Sequence, residues 1–121
     1  MNNVLKDKNG NILNPKIPRY EEFVLWENSN PTADFNTQNI VFSSDSYDVY
    51  EIYYYVSTTN QQMLTAKSLK GHGTRLMIPT DQMQYRTLTY VNGNTYSINT
   101  ASDPSYAVPV KIIGYKQCIL Q

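Results

Sequence analysis

The stretch Tyr47-Asp48-Val49-Tyr50-Glu51-Ile52-Tyr53-Tyr54-Tyr55-Val56 decides the fold. Side chains of an extended chain point alternately to two faces, and this run sorts cleanly by that period. Tyr50, Ile52, Tyr54 and Val56 fall on one face; Val49, Glu51, Tyr53 and Tyr55 fall on the other. Glu51 marks the second face as the one turned to solvent or to an interface, so the first is assigned to a core. β-branched and aromatic side chains suit such a pleated, half-buried surface.

Working outward from this strand, the chain reads as short strands punctuated by turns. Toward the C-terminus, Thr58–Gln61 turns the chain and Met63–Leu69 returns, with Lys67 and Lys70 in polar positions. Gly71-His72-Gly73 is a loop, and Thr74–Ile78 is a strand stopped by Pro79. Tyr85–Val91 follows, Asn92-Gly93 is the strongest hairpin signal, and Asn94–Thr100 pairs back. After the loop Ala101-Ser102-Asp103-Pro104, Val110–Tyr115 closes the fold. Toward the N-terminus lie the polar turn Ser43–Ser46, the strand Gln38–Phe42, the break Asn28–Pro31 and the strand Phe23–Trp26, where Trp26 is expected to face the core. Only Pro79–Met83 has the character of a helical turn, with Thr80 or Asp81 as its cap. Turn signals recur at about 8–12 residues, the rhythm of a sandwich or barrel. The predicted fold is all-β, an antiparallel β-sandwich or jelly-roll-like head.

Residues 1–20 read differently. Val4–Lys6 and Ile12-Leu13 flank Asp7–Asn11, where Asn9-Gly10 supplies the positive φ angles of a tight hairpin. Asn14-Pro15-Lys16-Ile17-Pro18 then breaks regular structure. A lone two-stranded hairpin is marginal in water, so residues 1–20 are expected to be a neck or attachment segment ahead of a head at 21–121.

Composition narrows the function classes. With 121 residues the chain is one domain. Ten basic and ten acidic residues balance, so the basic footprint of a nucleic-acid-binding protein is missing. No run approaches the ~18 apolar residues of a membrane span, and no membrane insertion is expected. Cys118 is the single cysteine, which leaves no internal disulfide and no thiolate metal site. The lack of disulfides fits a protein that assembles in a bacterial cytoplasm; the start Met1-Asn2-Asn3-Val4-Leu5-Lys6 lacks a secretion signal, so if the protein works outside a cell it is expected to leave by lysis. Charged residues are only 17%, whereas tyrosine occurs 11 times. Tyrosine combines an apolar ring with a polar tip, which suits interfaces, sugar stacking and strands alike.

Nothing in the sequence assembles a catalytic constellation. His72 is the only histidine, and a catalytic histidine needs a nucleophile and an orienting carboxylate. Asp45, Asp81 and Asp103 have the setting of turn or cap residues. Asp45 and Asp48 flank two serines, but the stretch lacks the ligand pattern of a calcium loop. A binding protein without cofactor or metal is therefore expected. The candidate ligand residues are His72 and Asp103 on loops, and Tyr53 and Tyr55 on the outer face of the central strand. For the two tyrosines, a sugar platform, an inter-subunit contact and the cover of a second sheet all stay open.

Four stretches, in order, carry a family resemblance. Leu5–Lys16, containing Asp7-Lys8-Asn9-Gly10-Asn11, resembles the neck of tail fibre and baseplate proteins from phages and prophages of Gram-positive bacteria. Leu25-Trp26-Glu27-Asn28-Ser29 resembles the first strand of their C-terminal head, departing at Asn28 where the family often has glycine. Tyr47–Tyr54 and Val110–Lys116 resemble the head's central and closing strands. From Met63 to Thr100 only the strand rhythm is similar. The resemblance implies a homotrimeric head in the virion, joined to other tail or baseplate subunits through residues 1–20 and binding a host cell-surface saccharide or polymer. The rival expectations are a structural tail-tip or adaptor protein without a host ligand, a small glycan-degrading enzyme, and a monomeric carbohydrate-binding module.

Overall fold

The computed structural model describes residues 5–6, 12–13, 17–42, 47–79 and 81–120. The turns at Asp7–Asn11 and Ser43–Ser46 lie outside them. Ten strands follow in chain order: β1 (Leu5–Lys6), β2 (Ile12–Leu13), β3 (Ile17–Glu27), β4 (Gln38–Val41), β5 (Val49–Ser57), β6 (Met63–Leu69), β7 (Thr74–Ile78), β8 (Asp81–Asn92), β9 (Thr95–Ile98) and β10 (Tyr106–Leu120). They form the hairpin β1-β2 and two four-stranded antiparallel sheets, ordered β3-β10-β5-β6 and β4-β9-β8-β7. The expected all-β sandwich is the observed architecture. The first strand of the sandwich lies beside the last, and its second beside its second-last, while the hairpins β5-β6 and β7-β8-β9 each stay within one sheet.

The alternation read from β5 holds. Tyr50, Ile52 and Tyr54 are buried between the sheets. Leu25, Val108 and Ile112 join them from the same sheet, and Ile40, Leu76, Ile78, Leu88, Tyr96 and Ile98 face them from the other. Aromatic packing closes one end of this core. Phe42 stacks on Tyr96 with ring centroids 4.4 Å apart, and Tyr50 meets Tyr96 edge-on at 5.6 Å. Trp26 packs on the core edge, T-shaped to Phe35 at 6.0 Å. The Tyr54 hydroxyl donates to the Met77 carbonyl at 2.6 Å, tying the two sheets together. Gly114 lets β10 pack closely under Leu25, because a Cβ there would stand 2.7 Å from Leu25 Cδ1.

Asp81–Met83 belong to strand β8 rather than to a helical turn, and Thr80, the other expected cap, lies outside the described residues. Ile78 pairs with Asp81, so β8 has begun by Asp81. The tertiary pairing of two buried strands overrides the local capping signal. The second hairpin turns at Gly93-Asn94, one residue later than the Asn92-Gly93 signal. Asn92 pairs with Thr95, and Gly93 takes φ +50°.

The register separates the two ends of the sandwich. At one end Val49 pairs with Leu69 and with Tyr115, which also pairs with Glu22. At the other, Ser57 pairs with Tyr106. The nine residues of β5 span about 27 Å between these ends. Beyond the Val49 end, β3 and β10 continue as a two-stranded ribbon, from Lys116↔Glu21 to Leu120↔Ile17. The chain therefore enters the head at the Val49 end, along this ribbon.

Candidate functional site

The sequence-predicted residues fall in three separate places. His72 lies at the entry end, Asp103 at the far end, and Tyr53 with Tyr55 on the outer face between them. The structure brings the two tyrosines together, two residues apart on one strand face, and separates them from both loops.

At the entry end, the loop between β6 and β7 is held from beneath. His72 itself is exposed. Its amide donates to the Leu69 carbonyl at 3.0 Å, and its carbonyl accepts from the buried Tyr50 hydroxyl. Gly71, at φ +81°, occupies the position of a type II turn that requires positive φ, and its amide donates to the Tyr96 hydroxyl at 2.7 Å. Gly73 answers a different need. A Cβ there would stand 2.2 Å from the Leu88 carbonyl oxygen. The close approach that Gly73 permits is to the protein's own strand β8.

The far end gathers three polar loops: residues 28–37 between β3 and β4, 58–62 between β5 and β6, and 99–105 between β9 and β10. Two of them, 28–37 and 99–105, share an anchor in Arg86, which is fully buried. Its Nε donates to the Tyr106 carbonyl at 3.1 Å; Nη1 donates to Phe35 at 2.6 Å and Asn99 at 3.2 Å; Nη2 donates to Pro104 at 2.8 Å and Tyr106 at 2.9 Å. The guanidinium also lies over the Phe35 ring at 5.4 Å. Burial pulls its pKa down to about 10, against an opposing pull from the charge of Asp34. A buried charge is tolerated only when its donors are paired, and the fork of a guanidinium is suited to holding several carbonyls at once.

Further bonds interlock the same loops. The Thr37 and Thr100 amides each donate to the other's hydroxyl, at 2.5 and 2.7 Å. Phe35 N donates to the Pro104 carbonyl at 3.0 Å, Thr58 N to the Ser105 carbonyl at 2.8 Å, and Asn28 Nδ2 to the Pro109 carbonyl at 2.8 Å. Asp103 accepts from the Ser105 amide at 3.0 Å and hydroxyl at 2.7 Å, and these bonds hold its carboxyl below its usual pKa. Its own amide donates to Gln84 Oε1 at 2.9 Å. Asp103 is thus a turn-forming residue inside a bonded loop. Asn30, Thr32, Asp34, Asn36, Asn60, Gln61 and Asp103 are exposed on this end. They present amide, hydroxyl and carboxylate groups on fixed backbone, the chemistry that pairs with the hydroxyls of a saccharide.

On the outer face of the β3-β10-β5-β6 sheet, Glu51 is buried, 9% exposed. The sequence places it on the outward face, which is correct, but the two tyrosines beside it cover it. Tyr53 and Tyr115 both donate to its Oε1, at 3.1 and 2.8 Å. Lys111 Nζ lies over the Tyr53 ring at 5.0 Å. Tyr115 has its pKa raised, first by burial and then by its hydrogen bonds to Tyr53 and Glu51 and the Glu51 charge. A shallow cleft of about 440 Å³ opens here, lined by Glu22, Val49, Lys67 and Tyr115.

Sequence reasoning missed Arg86 and the burial of Glu51. Arg86 shares its strand parity with Leu88, so the signal was a charge on an inward-facing position. Its carbonyl partners are scattered over residues 35 to 106 and left no local trace. Among the described residues no three His, Cys, Asp or Glu side chains converge on a point. Compared with known protein families, with curated proteins and with solved structures, the chain matches none.

Proposed function

We propose that this chain is the receptor-binding head of a phage tail fibre or baseplate protein, and that it attaches the virion to a host cell-surface saccharide through its far-end loops. The observation that carries this reading is the polarity of the sandwich. The chain enters through the β3-β10 ribbon at one end, and three polar loops are presented at the other, two clasped by Arg86 and the third, 58–62, tied to them by the Thr58 amide on the Ser105 carbonyl. Attachment and recognition are then separated by the length of the head. Loops already held in one conformation bind without the entropic cost of ordering them. The order of the four sequence stretches that resemble the family supports the same reading. In a homotrimer joined to the tail through residues 1–20, three such ends act together, and multivalency turns weak saccharide contacts into firm attachment.

The role proposed is binding rather than catalysis. Asp103 is committed to its own turn and Glu51 to two tyrosines, which leaves neither placed as a general acid. Of the candidate residues from the sequence, Asp103 belongs to the proposed site, and His72 lies at the wrong end of it.

The test is binding of the labelled chain to cell walls from a panel of Gram-positive bacteria. Replacing Asn36, Gln61 and Asp103 together by alanine is expected to abolish binding, and His72→Ala to leave it unchanged. Loss with His72→Ala alone moves recognition to the entry end. Binding to no wall in the panel favours a structural virion role.

A further inference from the structure

The far end of the head has a charge character of its own. Ten basic and ten acidic residues balance over the chain, yet residues 28–37, 58–62 and 99–105 contain Asp34 and Asp103 and no lysine, arginine or histidine. Both carboxylates are exposed. The Phe35 amide on the Pro104 carbonyl, at 3.0 Å, sets the two loops that carry them side by side. The Ser105 amide and hydroxyl hold the Asp103 carboxyl below its usual pKa, so it stays ionised into mild acid. Arg86, the cation packed beneath these two loops, is fully buried and gives its donors to main-chain carbonyls in five bonds. A guanidinium has five N–H donors, so none is left for a ligand. Loop amides are committed in the same way: those of Asn30, Phe35, Thr37, Asn60, Thr100 and Asp103 all donate to acceptors inside the protein.

We propose that this end selects an uncharged, hydroxyl-rich wall glycan and rejects wall polymers that carry phosphate; the proposal rests on the saccharide reading of the same loops. Phosphate is held by guanidinium or ammonium groups, or by backbone N–H groups gathered in a concave turn. The three loops have no such cation, and the six amides just named are already spent. Sugar hydroxyls ask for something else, since each both donates and accepts. The exposed side chains of Asn30, Thr32, Asn36, Asn60 and Gln61 do the same. A carboxylate only accepts, so Asp34 and Asp103 pair with hydroxyl protons. A phosphodiester group brings them acceptors instead of donors, and a negative charge to face their own. The loops that accept a neutral glycan thus discriminate against an anionic one without any part of the ligand being excluded by size.

The experiment is competition for the labelled chain bound to Gram-positive walls. Polysaccharide released from the same walls is split by anion exchange into an unretained, uncharged fraction and a retained, phosphate-bearing one. The uncharged fraction is expected to displace the chain, and the retained fraction to need at least about tenfold more sugar for the same displacement. With no ion pair to the ligand, wall binding is expected to change less than about twofold between about 0.01 and about 1 M salt, where the screening length falls from about 30 to about 3 Å. Asp34→Asn removes one of the two charges and is expected to narrow the gap between the fractions about threefold, with the circular dichroism of the folded chain kept. If the combined alanine replacement of Asn36, Gln61 and Asp103 abolishes binding, the far-end reading stands. Equal or better displacement by the retained fraction, binding lost on adding salt, or a gap unmoved by Asp34→Asn then overturns the proposal alone. Binding to no wall, binding that survives the triple replacement, or displacement by neither fraction overturns the far-end reading and the proposal with it.

Discussion

Replacing Arg86 by methionine probes the clasp that holds the far-end loops. Methionine keeps most of the buried volume and removes all five hydrogen bonds to the four carbonyls. Pro104 O keeps a donor, the Phe35 amide at 3.0 Å; the carbonyls of Phe35, Asn99 and Tyr106 lose their donation from Arg86. At about 2 kcal/mol for each unsatisfied buried acceptor, the loss is about 6 kcal/mol. Against it stands the relief of a buried charge. The fall of the guanidinium pKa from 12.5 to about 10 corresponds to about 3 kcal/mol. The net destabilisation expected is about 3 kcal/mol, which for a domain of this size lowers Tm by about 10 °C. Urea unfolding followed by circular dichroism measures it: the midpoint falls by roughly 2 M with an unchanged slope. Arg86→Lys is expected to fall nearly as far, because an ammonium offers its donors from one point and cannot span the four carbonyls. Buried ions are sometimes replaced by apolar groups at no cost. A midpoint for Arg86→Met within error of the wild type would refute the clasp and, with it, the argument that the loops are held ready for a ligand.

Other outcomes follow from the same geometry. Gly73→Ala drives a methyl group against the Leu88 carbonyl and is expected to cost about 3 kcal/mol, whereas Gly71→Ala, in open space at φ +81°, costs only about 1 kcal/mol of backbone strain; equal losses in thermal unfolding would contradict this. At high pH, burial first of all keeps Tyr47, Tyr50 and Tyr54 protonated above the ordinary tyrosine range. Above pH ~10 the unfolded chain therefore binds fewer protons than the folded one, and each such tyrosine removes about 1.4 kcal/mol of stability per pH unit. Arg86, with its folded pKa of about 10 below the unfolded 12.5, works in the opposite sense over that window and offsets one of the three. Stability is expected to fall steeply above pH ~10, with tyrosinate absorbance and loss of circular dichroism rising together. Full tyrosine ionisation while the fold persists would show that those hydroxyls are not buried.

The fold was legible because β5 states it. Period-two alternation assigned Tyr50, Ile52 and Tyr54 to the core, and the turn residues put most other boundaries within a few positions; the exception is β3, which begins at Ile17 inside the stretch Asn14–Pro18 expected to break regular structure, because pairing with the end of β10 extends it. What escaped was long-range. The extra length of β8 and β10 comes from pairing with partners far along the chain, against the local capping signal at Thr80 and Asp81. The candidate site was legible only in part. Loop chemistry pointed to His72 and Asp103 as alike, because both sit in glycine-rich or polar turns. That they lie at opposite ends of a head about 27 Å long follows from strand order, which periodicity does not encode. Arg86 stood in plain view on an inward position, but its meaning depends on carbonyls that only the folded chain assembles.

The most direct test of the central claim is where a ligand touches the head. Backbone amide shifts of the isotope-labelled chain, followed during titration with Gram-positive cell-wall polysaccharide fragments, read this residue by residue. The account predicts that the shifts concentrate in residues 28–37, 58–62 and 99–105 and leave residues 70–73 unmoved. Shifts centred on the Gly71-His72-Gly73 loop, or none with any wall polysaccharide, would contradict it.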